Sequence, residues 1–158
     1  MLSAVLPARH RQARWTLAYS TARHGMSLNT LMRRAQGRRP CVMVVKDMQG
    51  HVFGCYTSEA WHKHHRYYGD GETFVFQLHP RPRAFLWDRE SPQLNQFFQL
   101  GSEDAIALGG GSGFALRVDG DLKWGSSRES TTFANPSLSG TEDFMVEGLE
   151  LWGLSGAG

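Results

Sequence analysis

Three groups of residues in this chain are of types that do chemistry: two cysteines, a run of histidines and a cluster of glycines. Thiol chemistry needs a thiolate, which forms in exposed, electropositive surroundings. Cys41 and Cys55 instead sit inside the apolar runs "CVMVV" and "VFGCY", without CxxC or Cys/His zinc spacing, so both are expected to be buried, reduced and inert. His62, His64 and His65 follow Trp61, and helical spacing would put His62 and His65 on one face. A catalytic zinc usually wants three protein ligands, and no HExxH pattern is present, so a solvated basic loop is the simpler reading. The acid pairs Glu103-Asp104, Asp119/Asp121 and Glu142-Asp143 fall at turns, where they act as caps, and no G-x-S-x-G elbow occurs. No catalytic residue, cofactor or metal is expected.

The glycines lie in "IALGGGSGFALRVDGDLKWG", residues 106–125. A dinucleotide turn needs G-x-G-x-x-G between a strand and a helix, but Gly109-x-Gly111 leads to Phe114 and then to a strand. A P-loop needs Gly-Lys-Ser/Thr, which is missing. Gly109, Gly110, Gly111 and Gly113 therefore read as backbone latitude for a sharp passage between strands.

The elements that must position these residues are mostly strands. Trp15, Leu17 and Tyr19 alternate with Thr16 and Ala18, which predicts a first strand. Ser27 as N-cap, then Leu28, Leu31, Met32 and Ala35, then Gly37, predicts one short helix showing Arg33 and Arg34 to solvent. "CVMVVKD" and "HVFGCYTS" form a hairpin around "MQG"; "ETFVFQLH" and "RAFLWD" form another around "PRP". "FALRV" and "DLKW" flank Asp119-Gly120, the strongest hairpin turn in the sequence. The last strand, "FMVEGLELW", changes apolar phase between Val146 and Leu149, with a bulge expected at Gly148. "SPQLNQFFQLG" fits either a short helix or an extended segment, and "SEAWHKHHRYYGDGE" is a polar, aromatic connection. The expected fold is α+β and mostly β, an antiparallel two-sheet sandwich flanked by short helices.

Composition agrees with one folded unit in 158 residues. Charged residues at 20% and hydrophobic ones at 41% exclude disorder over most of the length. Residues 1–46 hold nine Lys/Arg and no acid, leaving eight Lys/Arg against fifteen acids in 47–158, a balance of −7. That asymmetry permits a basic face for an anionic partner, but Arg9, Arg11 and Arg14 read more simply as a solvated tail, and no nucleic-acid partner is expected. No apolar run approaches the ~20 residues of a membrane span, and the opening residues lack a secretory apolar core. An Arg-rich, acid-free opening does match a mitochondrial transit peptide in composition, the lesser reading beside a cytoplasmic location. The expected organisation is a basic arm at 1–14, a domain at 15–153 and a flexible tail at 154–158.

In order along the chain, "AYSTARHGMSLNTLMRRA", "PCVMVVKDMQGHVFGCYTS", "YYGDGETFVFQLHP", "LGGGSGFALRVDGDLKWGSS", "TTFANPSLS" and "EDFMVEGLELWG" resemble the TLDc domain of the oxidation-resistance protein family. The resemblance covers about residues 15–153 and implies a β-sandwich with short helices. It also implies a non-enzymatic interaction module tied to oxidative-stress protection, docking on the peripheral sector of the vacuolar proton-pumping ATPase and meeting membranes only indirectly. The residues expected to form or support that surface are Gly69, Gly71 and Glu72 of "GDGE", with Gly109, Gly110, Gly111 and Gly113. The alternative is a thiol-based antioxidant enzyme or direct peroxide scavenger. Against it, Ser130 stands where many relatives have cysteine ahead of "xTF", and Cys55 stands where a small residue such as Ala is common.

Overall fold

A computed structural model of the chain describes residues 5–155. Ten strands are Arg14–Ser20 (β1), Cys41–Asp47 (β2), Val52–Thr57 (β3), Phe74–His79 (β4), Arg83–Leu86 (β5), Gln99–Gly101 (β6), Ala105–Leu108 (β7), Leu116–Asp119 (β8), Trp124–Ser126 (β9) and Asp143–Ser155 (β10). Two helices, Thr21–His24 (α1) and Leu28–Ala35 (α2), follow β1. Ser27 caps α2 as its sequence predicts, its hydroxyl accepting from the Thr30 N–H at 3.3 Å.

All the strand pairs are antiparallel, in the order β5-β4-β3-β2-β10-β9-β8-β7-β6, with β1 also on β10. The two layers expected of a sandwich are thus joined through β10. Its first residues, Asp143 to Met145, pair with β9, and its later ones pair with β2 and β1. Register on β2 shifts between Val146 and Gly148, the expected bulge. An extra residue inverts the alternation of side chains, so Phe144 and Val146 before the bulge face the same core as Leu149 and Leu151 after it. That core also takes Met43, Val45, Phe53 and Val75 from one layer, Ile106, Leu108, Leu116 and Val118 from the other, and Leu28, Leu31 and Met32 from α2.

A second apolar cluster lies on the opposite face of β2, β3 and β4, built from Val42, Tyr56, Phe74, Phe76 and Leu154. Leu6, only 2% exposed, covers it from the N-terminal segment, with Val5 and Ala13 beside it. Of the residues read from sequence as a basic arm, Val5, Leu6 and Ala13 therefore pack on the sheet, and residues 1–4 lie outside the described part. The arm's arginines stay outside, Arg9 paired with Glu72 and Arg11 donating to the Leu6 carbonyl at 3.2 Å. β10 continues through Ser155, past the expected start of the tail, while residues 156–158 lie outside the described part. Among the described residues no helix is long and apolar enough to cross a membrane.

Two local expectations change. The β8–β9 hairpin forms, but not on a two-residue Asp119-Gly120 turn. Its loop runs further, and Leu122 takes the left-handed conformation at φ 56°. The reason is tertiary: Leu122 is buried in the core, and the Gly120 carbonyl accepts the Leu28 N–H of α2 at 3.1 Å. The 91–98 segment is an extended loop after a turn in which the Leu94 N–H reaches the Ser91 carbonyl at 3.1 Å, and it leads into β6.

Two strand glycines separate by what surrounds them. A Cβ on Gly54 would run into the Met43 carbonyl oxygen, whereas one on Gly148 would meet only Thr21 Oγ1 at 3.6 Å, an ordinary contact. The apolar phase, not the missing side chain, makes the bulge. Gly54→Ala is expected to destabilise the domain by about 1–3 kcal/mol, and Gly148→Ala to change stability by less than about 1 kcal/mol. Urea unfolding of the two variants beside the parent checks the contrast.

Candidate functional site

The residues singled out from sequence fall on two connections, 67–72 and 109–113, far apart in the chain. Both pack against a third, residues 87–98 between β5 and β6. Gly71 lies under the indole of Trp87 so closely that a Cβ there would strike the ring. Gly69, at φ +96°, faces Gln99 and Phe98. Tyr68 and Gln99 exchange backbone hydrogen bonds at 2.9 Å in both directions. Glu72 points the other way, to Arg9 of the N-terminal segment. The expected grouping of Gly69, Gly71 and Glu72 therefore splits: two glycines seat the loop and the carboxylate ties down the segment over the outer face.

The glycine cluster joins β7 to β8. Gly109 and Gly111 have φ of +81° and +88°, a region that side chains disfavour, so the turn uses glycine for its conformation. Two of the amides that a phosphate cradle would use are already engaged. Gly109 N–H donates to the Phe97 carbonyl at 2.8 Å and Gly110 N–H to Thr132 Oγ1 at 3.0 Å. Tyr67 Oη donates to the Gly109 carbonyl at 2.9 Å, and its ring packs on Phe97 with centroids 4.8 Å apart. Burial pushes the Tyr67 hydroxyl's pKa up, which keeps it a donor. Gly113 lies against Arg128 and Glu129. A hollow of about 440 Å³ beside the cluster has Asp88 and Glu129 as its charged lining, a poor match for an anion.

Sequence reasoning missed the residue that ties the 87–98 loop to Thr131 and Thr132, which in turn bond Gly110. Asn95 Nδ2 donates to Thr131 Oγ1 at 2.8 Å, its Oδ1 accepts from Thr132 Oγ1 at 2.6 Å, and its backbone carbonyl accepts from Trp87 Nε1 at 2.8 Å. It sits in the segment whose period is ambiguous, so nothing in the pattern around it marks it. Ser130, where the family resemblance leads one to look for a thiol, is buried and donates to Asn135 Oδ1 at 2.6 Å while accepting from the Phe133 N–H. Its hydroxyl closes a turn.

The histidines gather on Tyr68. The His62 ring lies 4.0 Å from that phenol, His64 stacks on His65 at 4.7 Å, and Tyr68 Oη donates to the His62 carbonyl. Among the described residues no three His, Cys, Asp or Glu side chains converge as a metal site. Cys41 and Cys55 are fully buried, and Cys41 lies 3.1 Å from Thr57 Oγ1. Burial pushes the Cys41 thiol up to about 11, and pushes Cys55 up as well, with Cys41 adding to the shift.

The TLDc domain model matches residues 1–155. The chain belongs to the TLDc domain family. It is 44% identical over 153 residues to "Oxidation resistance protein 1" of Rattus norvegicus and of Homo sapiens, and 42% identical to "Nuclear receptor coactivator 7" of Homo sapiens. Each match takes in 96% of this TLDc chain but only 16–18% of the relative.

Two outcomes follow for the TLDc fold. Asn95→Ala removes two side-chain hydrogen bonds, one of them the acceptor for the buried Thr132 hydroxyl, and is expected to destabilise by about 1–3 kcal/mol in denaturant unfolding. The Cys41 thiol has a folded value raised above its ordinary 9.0, so its contribution to stability is complete below pH 9 and falls as pH rises toward about 11. Melting temperatures should drop over that window, and less so in a Cys41→Ser variant compared with its own value at pH 8.

Proposed function

We propose that this TLDc domain is a protein-interaction module and not an enzyme. In this reading it docks in the cytoplasm on the peripheral sector of the vacuolar proton-pumping ATPase, at the surface of vacuolar or endolysosomal membranes, and contributes to protection against oxidative damage. The observation that carries it is the loop on which the two glycine turns converge. Its framework is fixed by Asn95 and Trp87, yet Leu94 is 53% exposed and Phe97 37% exposed, with Arg89 and Glu90 exposed beside them. Arg89 lies over the Trp87 ring, 5.1 Å from its centroid. Apolar tips with a charged rim on a rigid support have the makeup of an association surface.

The stress-protection part leans on the name "Oxidation resistance protein 1" carried by relatives of which this chain matches about a sixth of the length. A thiol-based scavenger is the weaker reading, because neither sulfur has solvent access and burial keeps both protonated.

The test is a pull-down from solubilised vacuolar membranes with the folded domain and its Leu94→Asp variant. The parent is expected to recover peripheral-sector subunits, and the variant at least about tenfold less, a loss of ~1.4 kcal/mol in binding. The variant's melting temperature should stay at the parent's, since the side chain it replaces faces water. Recovery of no ATPase subunit by folded parent protein refutes the docking.

A further inference from the structure

A thioether, unlike a thiol, needs no ionisation before it reacts with a peroxide, so its susceptibility follows exposure. Among the described methionines, Met43 and Met32 are in the core at 1% and 8% exposed, whereas Met26, Met145 and Met48 are 39%, 44% and 60% exposed. Two of these three are neighbours. Met48 directly follows β2 and donates its N–H to the Met145 carbonyl at 3.0 Å. Met145 pairs in register with Trp124 of β9, itself 53% exposed. The three side chains border a hollow of about 220 Å³ with Phe144.

The support beneath this patch is rigid. Asp47, 1% exposed, accepts from the N–H groups of Gln49 and His51 at 2.9 Å each and from Ser139 Oγ at 2.5 Å. The turn bearing Met48 is thereby tied to the 137–142 connection, and the methionines stay outside while the backbone under them is held.

We propose that Met48 and Met145 form a peroxide-oxidisable site whose modification turns the apolar patch around Trp124 polar. In the step, a lone pair on the thioether sulfur attacks one oxygen of hydrogen peroxide, and an S–O bond forms as the O–O bond breaks. The proton on the transferred oxygen passes to the departing hydroxide, giving water and a methionine sulfoxide. Sulfur is oxidised by two electrons and the peroxide is reduced by two. The product is a polar sulfoxide that a methionine sulfoxide reductase returns to the thioether. None of these residues belongs to the 87–98 loop, so this site stands or falls apart from the docking proposed above.

The experiment treats the full chain with hydrogen peroxide at neutral pH and follows each methionine peptide by mass spectrometry. Met48 and Met145 are expected to gain one oxygen at least about tenfold faster than Met43, with Cys41 and Cys55 still alkylatable after denaturation. Retention on a hydrophobic-interaction column should fall with oxidation, and a Met48→Leu/Met145→Leu variant, of similar side-chain volume, should lose most of that fall. The proposal is overturned if Met48 and Met145 react no faster than Met43, if the cysteines oxidise first, or if retention does not depend on the two methionines.

Discussion

One strand sets the terms for the rest of the molecule. β10 is shared by both layers, and it can serve both only because its side-chain phase inverts at the bulge between Val146 and Gly148. Without that inversion, Phe144 and Val146 would face one way and Leu149 and Leu151 the other, and one of the two pairs would leave the core. The layers would then share a backbone but no common interior. Met43, Phe53, Ile106 and Val118 meet in one cluster because this strand turns its apolar positions to the same side on either side of the bulge.

The layer built on β2, β3 and β4 is apolar on both faces. Its outer face is covered where Leu6 lies over Tyr56 and Phe74, and the Arg9 pair with Glu72 anchors that cover beside the 67–72 connection. With both faces occupied in this region, the exposed apolar side chains lie elsewhere, on connections and on other strands. Leu94 and Phe97 stand on the 87–98 loop, and Met48 stands on the β2–β3 turn beside Trp124. Each place has a hydrogen-bonded polar side chain beneath it, the half-buried Asn95 in one and the buried Asp47 in the other. A hydrogen-bonded polar anchor holds a turn in one arrangement while leaving its tip free to meet another surface.

The sulfur atoms divide in the same way. Cys41 and Cys55 pack inside, where ionisation is disfavoured, and the thioethers of Met48 and Met145 face water. Ser130 completes the contrast: at the position where the family resemblance points to a thiol, a hydroxyl closes a turn that presses Thr131 and Thr132 against Gly110 and Asn95. The geometry around the glycine cluster is therefore architectural: the Gly109 and Gly110 amides bond Phe97 and Thr132, and the Gly109 carbonyl takes the Tyr67 hydroxyl.

The strands, the α2 cap and the β10 bulge are legible in the residues themselves, because alternation, N-cap chemistry and a change of apolar phase are local signals carried by neighbouring positions. Burial of both cysteines is legible for the same reason, since each lies within an unbroken apolar run. The family is legible too, from motifs spread along the chain. What folds over the outer face is not: "CVMVV" and "FVFQL" carry apolar residues at consecutive positions, which announces burial on both sides but does not name Leu6 as the cover. Nor does local chemistry reveal that Asp119-Gly120 yields its turn to a longer loop, because that outcome depends on burying Leu122 and on the Leu28 N–H from a helix ninety residues away. Sequence determined which segments are strands and which way their side chains alternate; tertiary structure alone decided which connections meet, since Asn95, Thr131 and Gly110 become neighbours only when the sheet has folded over on β10.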